Sequence, residues 1–165
     1  MTYIAIISTI FFSGYVGLLI AKKYNNRVKF YENIIKFADF LLLNIYHLNE
    51  NLKTIFSKYI EMGNDKNFQH YEKLKNVRGN DNDYNTLINQ IVLQMNIKKS
   101  EISDIVDFFK NLGKSNTESQ IHLIEGYKSI FKNYYNQAVS DQKQKGSIAF
   151  KLSVSIGVVV CVLII

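Results

Sequence analysis

Apolar residues fill both ends of this chain and recur at helical spacing between them. Residues 2–21 and 152–165 carry no charged side chain. The first stretch has 20 residues, about the ~20 a helix needs to cross ~30 Å of hydrocarbon at ~1.5 Å per residue. The second has 14. It reaches a similar span if its helix begins near Gly146 and Lys151 snorkels to the headgroups. Between them the period is that of amphipathic helices, with no alternating strand pattern. Tyr31, Ile34, Ile35, Ala38, Leu41, Leu42, Ile45 and Leu48 form one stripe. Leu52, Ile55, Phe56, Tyr59 and Ile60 form a second, stopped by Gly63-Asn64-Asp65. Phe68, Tyr71 and Leu74 make a weaker third, and Tyr84, Leu87, Ile88, Ile91, Val92 and Met95 a fourth. Ile102, Ile105, Val106, Phe109 and Leu112 give a fifth, and Ile121, Ile124, Tyr127, Ile130, Phe131, Tyr134 and Ala138 a long sixth.

The punctuation fits these elements. Gly79-Asn80-Asp81-Asn82-Asp83 reads as a loop and N-cap. Ser100 is expected to cap the fifth helix. Gly113 suits the left-handed position past a helix end. Ser115 and Glu118 have the spacing of a capping box for the sixth helix. That helix can run through the polar residues 140–145 into the second apolar stretch without a break. The expected fold is all-α: an antiparallel bundle of about six helices over residues 22–146. Transmembrane helices at 2–21 and 147–165 flank it.

Charge sharpens this picture. The formal net charge is +6, which invites a nucleic-acid reading. The excess, however, sits at the two membrane junctions: Lys22, Lys23, Arg27 and Lys29 after the first stretch, and Lys143, Lys145 and Lys151 around the start of the second. The remaining thirteen basic residues face fourteen acidic ones, so the middle is near neutral and offers no basic stripe. The pattern is that of positive-inside topology with contacts to anionic lipid. Residues 22–150 are expected in the cytoplasm and both termini on the far side. No positive n-region or small-residue cleavage site accompanies the first stretch, so it is expected to be a retained anchor. Cys161 is the sole cysteine and reads as a small packing residue inside the second anchor.

Candidate chemistry is sparse. Gly113-Lys114-Ser115 lacks the glycine that a P-loop needs five positions earlier, where Phe108 stands, and a helix rather than a strand precedes it. His47, His70 and His122 are far apart and lack a second histidine or cysteine at i+3 or i+4. Asp104 and Asp107 share a helix face of the usual solvated kind. Asp81 and Asp83 lack the rest of a calcium loop. Neither a catalytic set, a cofactor nor a small-molecule substrate is indicated, and an enzyme is the weakest of the function classes.

The last third carries a resemblance. Leu112-Gly113-Lys114-Ser115-Asn116 followed by Gln120 is similar to the Leu-Gly-x-Ser-Asp/Asn-x-x-x-Gln signature of the stage III sporulation protein AB family. In that family a long helix, a basic segment and an apolar, glycine-containing anchor follow, as residues 121–142, 143–151 and 152–165 with Gly157 do here. The N-terminal anchor, its basic junction and the helix of Tyr31 also resemble the family layout. Members usually carry a proline just after the first anchor. This chain has Arg27-Val28, so nothing there breaks the helix. The resemblance implies a cytoplasmic bundle similar to the inner-membrane platform protein of type II secretion. It implies a place in the channel between mother cell and forespore, in the mother-cell membrane around the forespore. The partners it implies are other membrane subunits of that channel and a secretion-type ATPase, stage III sporulation protein AA, which carries the nucleotide chemistry. Up-down helix order puts the loops near Leu48, Asp81 and Lys114 at the membrane-distal tip, with Asp81 and Lys114 as candidate partner contacts. The competing reading is a double-anchored membrane adaptor or lipid-binding helical module with no link to sporulation.

Overall fold

A computed structural model describes residues 2–48, 52–62 and 95–164 of the chain. Every regular element among them is helical. Helix α1 spans Thr2–Leu48 without interruption, so the first apolar stretch and the first bundle helix are one element. No proline or glycine pair falls where the two parts meet, and the missing proline removes the usual cause of a kink. Its 47 residues extend about 70 Å at ~1.5 Å per residue. A hydrocarbon layer of ~30 Å would leave roughly 40 Å of it outside. Helix α2 covers Leu52–Glu61 and α3 covers Lys99–Asn111. Helix α4, Thr117–Asp141, runs through a π-helical turn, Gln142–Gly146, directly into α5, Ser147–Ile164. The sixth bundle helix and the second apolar stretch are therefore also one rod. The expected third and fourth helices, with the Gly79–Asp83 loop, lie outside the described residues.

The two rods are antiparallel. Going up α1, Arg27 meets Asp141 and Asp39 meets Lys128. Going down, Ser13 donates to the Ser153 carbonyl. The start of α1 and the end of α5 thus point the same way, and the end of α1 and the α3–α4 turn lie at the opposite end. Helices α2 and α3 pack on the upper half of the rods. Phe37 meets Tyr59 edge-on with ring centroids 5.1 Å apart. Phe108 packs on Tyr127 and Phe131 at 5.5 and 5.3 Å. Tyr31, Ile34, Ala38, Leu41, Ile55, Ile105, Ile124 and Phe131 close the core. Burial of each large apolar side chain contributes about 1.5–3 kcal/mol.

Below this core the surface inverts. Phe11, Phe12, Tyr15 and Leu18 on α1, and Leu152, Ile156, Val159 and Val162 on α5, are exposed apolar groups. A contiguous exposed apolar surface of this kind marks a membrane or protein contact. Where the two helices face each other they use small residues. An added Cβ at Gly157 would fall 2.7 Å from the Ser13 Cβ, and one at Gly17 would fall 3.1 Å from the Ser153 Cβ. Small residues at four-residue spacing permit such close helix approach in an apolar surrounding. Among the described residues one helix, Thr117–Val162, is long and apolar enough to cross a membrane.

Candidate functional site

At the seam between bundle and hairpin, three elements each contribute a charged side chain to one buried cluster. Arg27 of α1 and Glu101 of α3 are both only 2% exposed. Arg27 Nη2 donates to Glu101 Oε1 at 2.5 Å, and Nη1 to Asp141 Oδ2 at 2.7 Å. Tyr31 Oη donates to Glu101 Oε2 at 2.7 Å, and the Lys98 amide reaches the same oxygen at 3.1 Å. Lys145 Nζ lies 2.7 Å from Asp141 Oδ1. Tyr134 donates to Asp104 one turn higher. Burial opposes the Arg27 charge, but Glu101 and Asp141 together hold its pKa above the ordinary value. Burial, then the bond to Glu101, pushes the Tyr31 phenol far up, so it stays a neutral donor. The bond to Asp104 and burial raise Tyr134 to about 12. Asp141 is lowered to about 2, by the Lys145 hydrogen bond against the opposing effect of burial, then by Arg27.

Arg27 was expected in the lipid-facing basic collar, and the structure corrects this. It lies on the inward side of α1, four residues before Tyr31 and seven before Ile34, in line with the core stripe. Lys22, Lys23, Lys29, Lys143, Lys145 and Lys151 are exposed, with Lys145 engaged by Asp141. Glu101 and Asp141 were not among the residues singled out from sequence. Both extend apolar stripes: Glu101 lies four before Ile105, and Asp141 three after Ala138.

The second cluster is the turn between α3 and α4. Gly113 has φ of 78°, a conformation that favours glycine. The caps differ from expectation. Asn116 rather than Ser115 is the N-cap of α4, its Oδ1 accepting from the Ser119 amide at 2.9 Å. Ser115 instead accepts from Gln120 Nε2 at 2.7 Å. Helix α3 begins at Lys99, so Ser100 lies within its first turn, and the Glu101 carboxylate takes the Lys98 amide. Gln120 holds the turn together. Its Oε1 accepts from the Gly113 amide at 2.9 Å, and its Nε2 also donates to the Asn111 carbonyl at 3.2 Å. Leu112 tucks under the turn at 2% exposure. Lys114 and Asn116 point outward. Asp81 lies outside the described residues. Among those residues no three His, Cys, Asp or Glu side chains gather in a metal-binding arrangement.

The turn, its buried glutamine and the apolar hairpin give spatial form to the signature noted in the sequence. The model of the stage III sporulation protein AB family matches residues 2–165. The chain belongs to the stage III sporulation protein AB family. No curated protein and no solved structure matches it. Membership assigns this stage III sporulation protein a role in that stage of spore formation. The signature residues Leu112, Gly113, Ser115, Asn116 and Gln120 are accounted for by turn geometry, while Lys114 joins the turn through its amide, which donates to the Asn111 carbonyl at 3.4 Å, and leaves its side chain exposed.

Asp141 gives this family member a defined acid response. Its folded-state pKa is below the unfolded value of 3.8. Its contribution is therefore complete above about pH 4 and is lost as pH falls through about 2. After allowance for the solvent-exposed Lys145, about 1–2 kcal/mol is at stake. The melting temperature of the full chain in detergent should exceed that of Asp141→Asn at pH 6, and most of the gap should vanish by pH 2.5. A gap unchanged across that range would contradict the assignment.

Proposed function

We propose that the protein is a non-enzymatic membrane platform subunit of a secretion-like sporulation channel. Its apolar hairpin would be embedded in the mother-cell membrane around the forespore, and its helical bundle would dock a cytoplasmic ATPase of the stage III sporulation protein AA type. The observation that carries this reading is the segregation of one continuous pair of rods into two surfaces. One half is an apolar hairpin with small residues at its seam. The other is a packed bundle ending in a polar turn about 40 Å from where the apolar belt stops. Lysines 22, 23, 143 and 145 ring the junction between the halves, which suits anionic headgroups and positive-inside insertion. Both termini would then be extracytoplasmic. Other channel subunits would pack on the exposed hairpin face.

Docking at the polar tip makes Lys114 the first residue to test. Its side chain is exposed, and the turn is held by Gln120 and by the Lys114 main chain, both of which a side-chain reversal leaves in place. Lys114→Glu should weaken capture of purified stage III sporulation protein AA by the full chain in detergent roughly ten-fold, the effect of ~1.4 kcal/mol. Circular dichroism should not change. Charge reversal at Asp81 is expected to act in the same direction. Undiminished capture with both reversals would move the contact to a bundle side or to the basic junction. Absence of any capture by the wild-type chain would favour an adaptor that serves lipid or other subunits.

A further inference from the structure

Along α1 the residues that meet the second rod fall seven apart. Gly17 lies against Phe150 and Ser153, Tyr24 lies against Gly146, the Tyr31 ring sits 5.6 Å from that of Tyr134 at a tilt of 50°, and Ala38 is buried. Along α4 the buried series is also seven apart: Ile124, Phe131, Ala138. Its next member would be Lys145, but Lys145 is exposed and Gly146 takes the inward place. The spacing of seven then resumes to Ser153. The second rod therefore contains one residue more than its partner at this point. In an α-helix a surplus residue rotates everything beyond it by about 100°. That would turn Ser153 and Gly157 away from α1 and bring up the bulkier Leu152 and Ile156. The π-helical turn Gln142–Gly146 absorbs the surplus, since its i→i+5 bonding places an extra residue in the turn. This turn contains no large apolar side chain. Two contacts tie it to the bundle: Gln142 Nε2 donates to Asn25 Oδ1 of α1 at 3.1 Å, and Asp141 holds Arg27 of α1 with one oxygen and Lys145 inside the turn with the other, the only ion pair of the two.

We propose that Gln142–Gly146 is a rotational joint between the bundle and the apolar hairpin, held in its present phase by Asp141. The polar turn can hold its extra residue or pass it along the rod, and passing it along rotates α5 against α1 by one position. Asp141 opposes this because Arg27 fixes it to α1 while Lys145 fixes it to the turn. The inference rests on the pairing of α1 with α5 and not on ATPase docking, so its failure leaves the platform reading standing.

The test is disulfide trapping in membranes holding the full chain with Cys161→Ser. Gly17→Cys with Ser153→Cys reports the present phase, because the Cβ positions lie 3.1 Å apart, a few tenths short of the ~3.5–4.5 Å of a disulfide. Gly17→Cys with Leu152→Cys reports the rotated phase. Loss of maleimide labelling after mild oxidation measures closure. With Asp141 present, the first pair should close and the second should stay open. Asp141→Asn should raise closure of the second pair at least five-fold. Deletion of Gln144 removes the surplus residue. It should keep the first pair closing at the wild-type yield and abolish the second pair even with Asp141→Asn. The proposal is overturned if Asp141→Asn leaves the second pair open. It is also overturned if the deletion variant, still helical by circular dichroism, loses the first pair. Should that variant not fold, the Asp141→Asn arm decides alone.

Discussion

Arg27→Met should destabilise the full chain by about 3–5 kcal/mol, the usual result of removing one member of a buried ion pair. The variant leaves Glu101 at 2% exposure with only the Tyr31 hydroxyl and the Lys98 amide as partners, and it leaves Asp141 Oδ2 with Lys98 Nζ at 3.5 Å as its remaining partner. An isolated carboxylate in that position must either carry its desolvation cost or take up a proton. Thermal melting in detergent, followed by ellipticity at 222 nm, measures the loss. A second variant separates charge isolation from packing. Arg27→Met combined with Glu101→Leu and Asp141→Leu removes all three charges together and should return to within about 1 kcal/mol of the wild type, because apolar replacement of an entire buried cluster is commonly neutral. A single variant that melts like the wild type would mean Arg27 is solvated and the clamp is open.

Gln120→Leu should cost roughly 2–3 kcal/mol. The side chain is 3% exposed and serves the Gly113 amide, the Asn111 carbonyl and Ser115. Each partner left unpaired away from water carries a penalty of about 1–3 kcal/mol, less where water can enter. Gly113→Val should cost more than about 1 kcal/mol at φ of 78°. Removal of the Asn116 cap by alanine should cost about 0.5–2 kcal/mol. The same melting experiment ranks the three. If Gln120→Leu were silent in melting while sporulation failed, the glutamine would be a partner contact and not the strut of the turn.

The helical class and the turn at Gly113 were legible in the sequence because they depend on local spacing. Periodicity at three and four marks a helix whatever packs against it, and glycine after a helix end announces a left-handed residue. The identity of the caps was not legible. Ser115 and Asn116 are both good caps, and the choice between them depends on Gln120 engaging Ser115. Both joins were legible for a local reason: caps and breakers separate helices, and neither rod contains one where the apolar and amphipathic parts join, while the third and fourth of the expected six helices lie outside the described residues. Arg27 was assigned by its nearness to the first anchor, which it shares with Lys29. Its phase on the α1 stripe pointed inward, but only a fold that brings Glu101 and Asp141 to it supplies the partners that burial demands. The π-helical turn had a signal too, in the change from seven to eight between Ala138 and Gly146. It carries meaning only once the partner rod is known to keep a spacing of seven.

The central claim is a membrane hairpin carrying a cytoplasmic bundle, and topology mapping tests it most directly. A reporter fused after Ile165 should behave as extracytoplasmic, and one inserted at Asn80 as cytoplasmic. The reverse pattern, or both reporters on one side of the membrane, would contradict the account and remove the cytoplasmic ATPase contact with it.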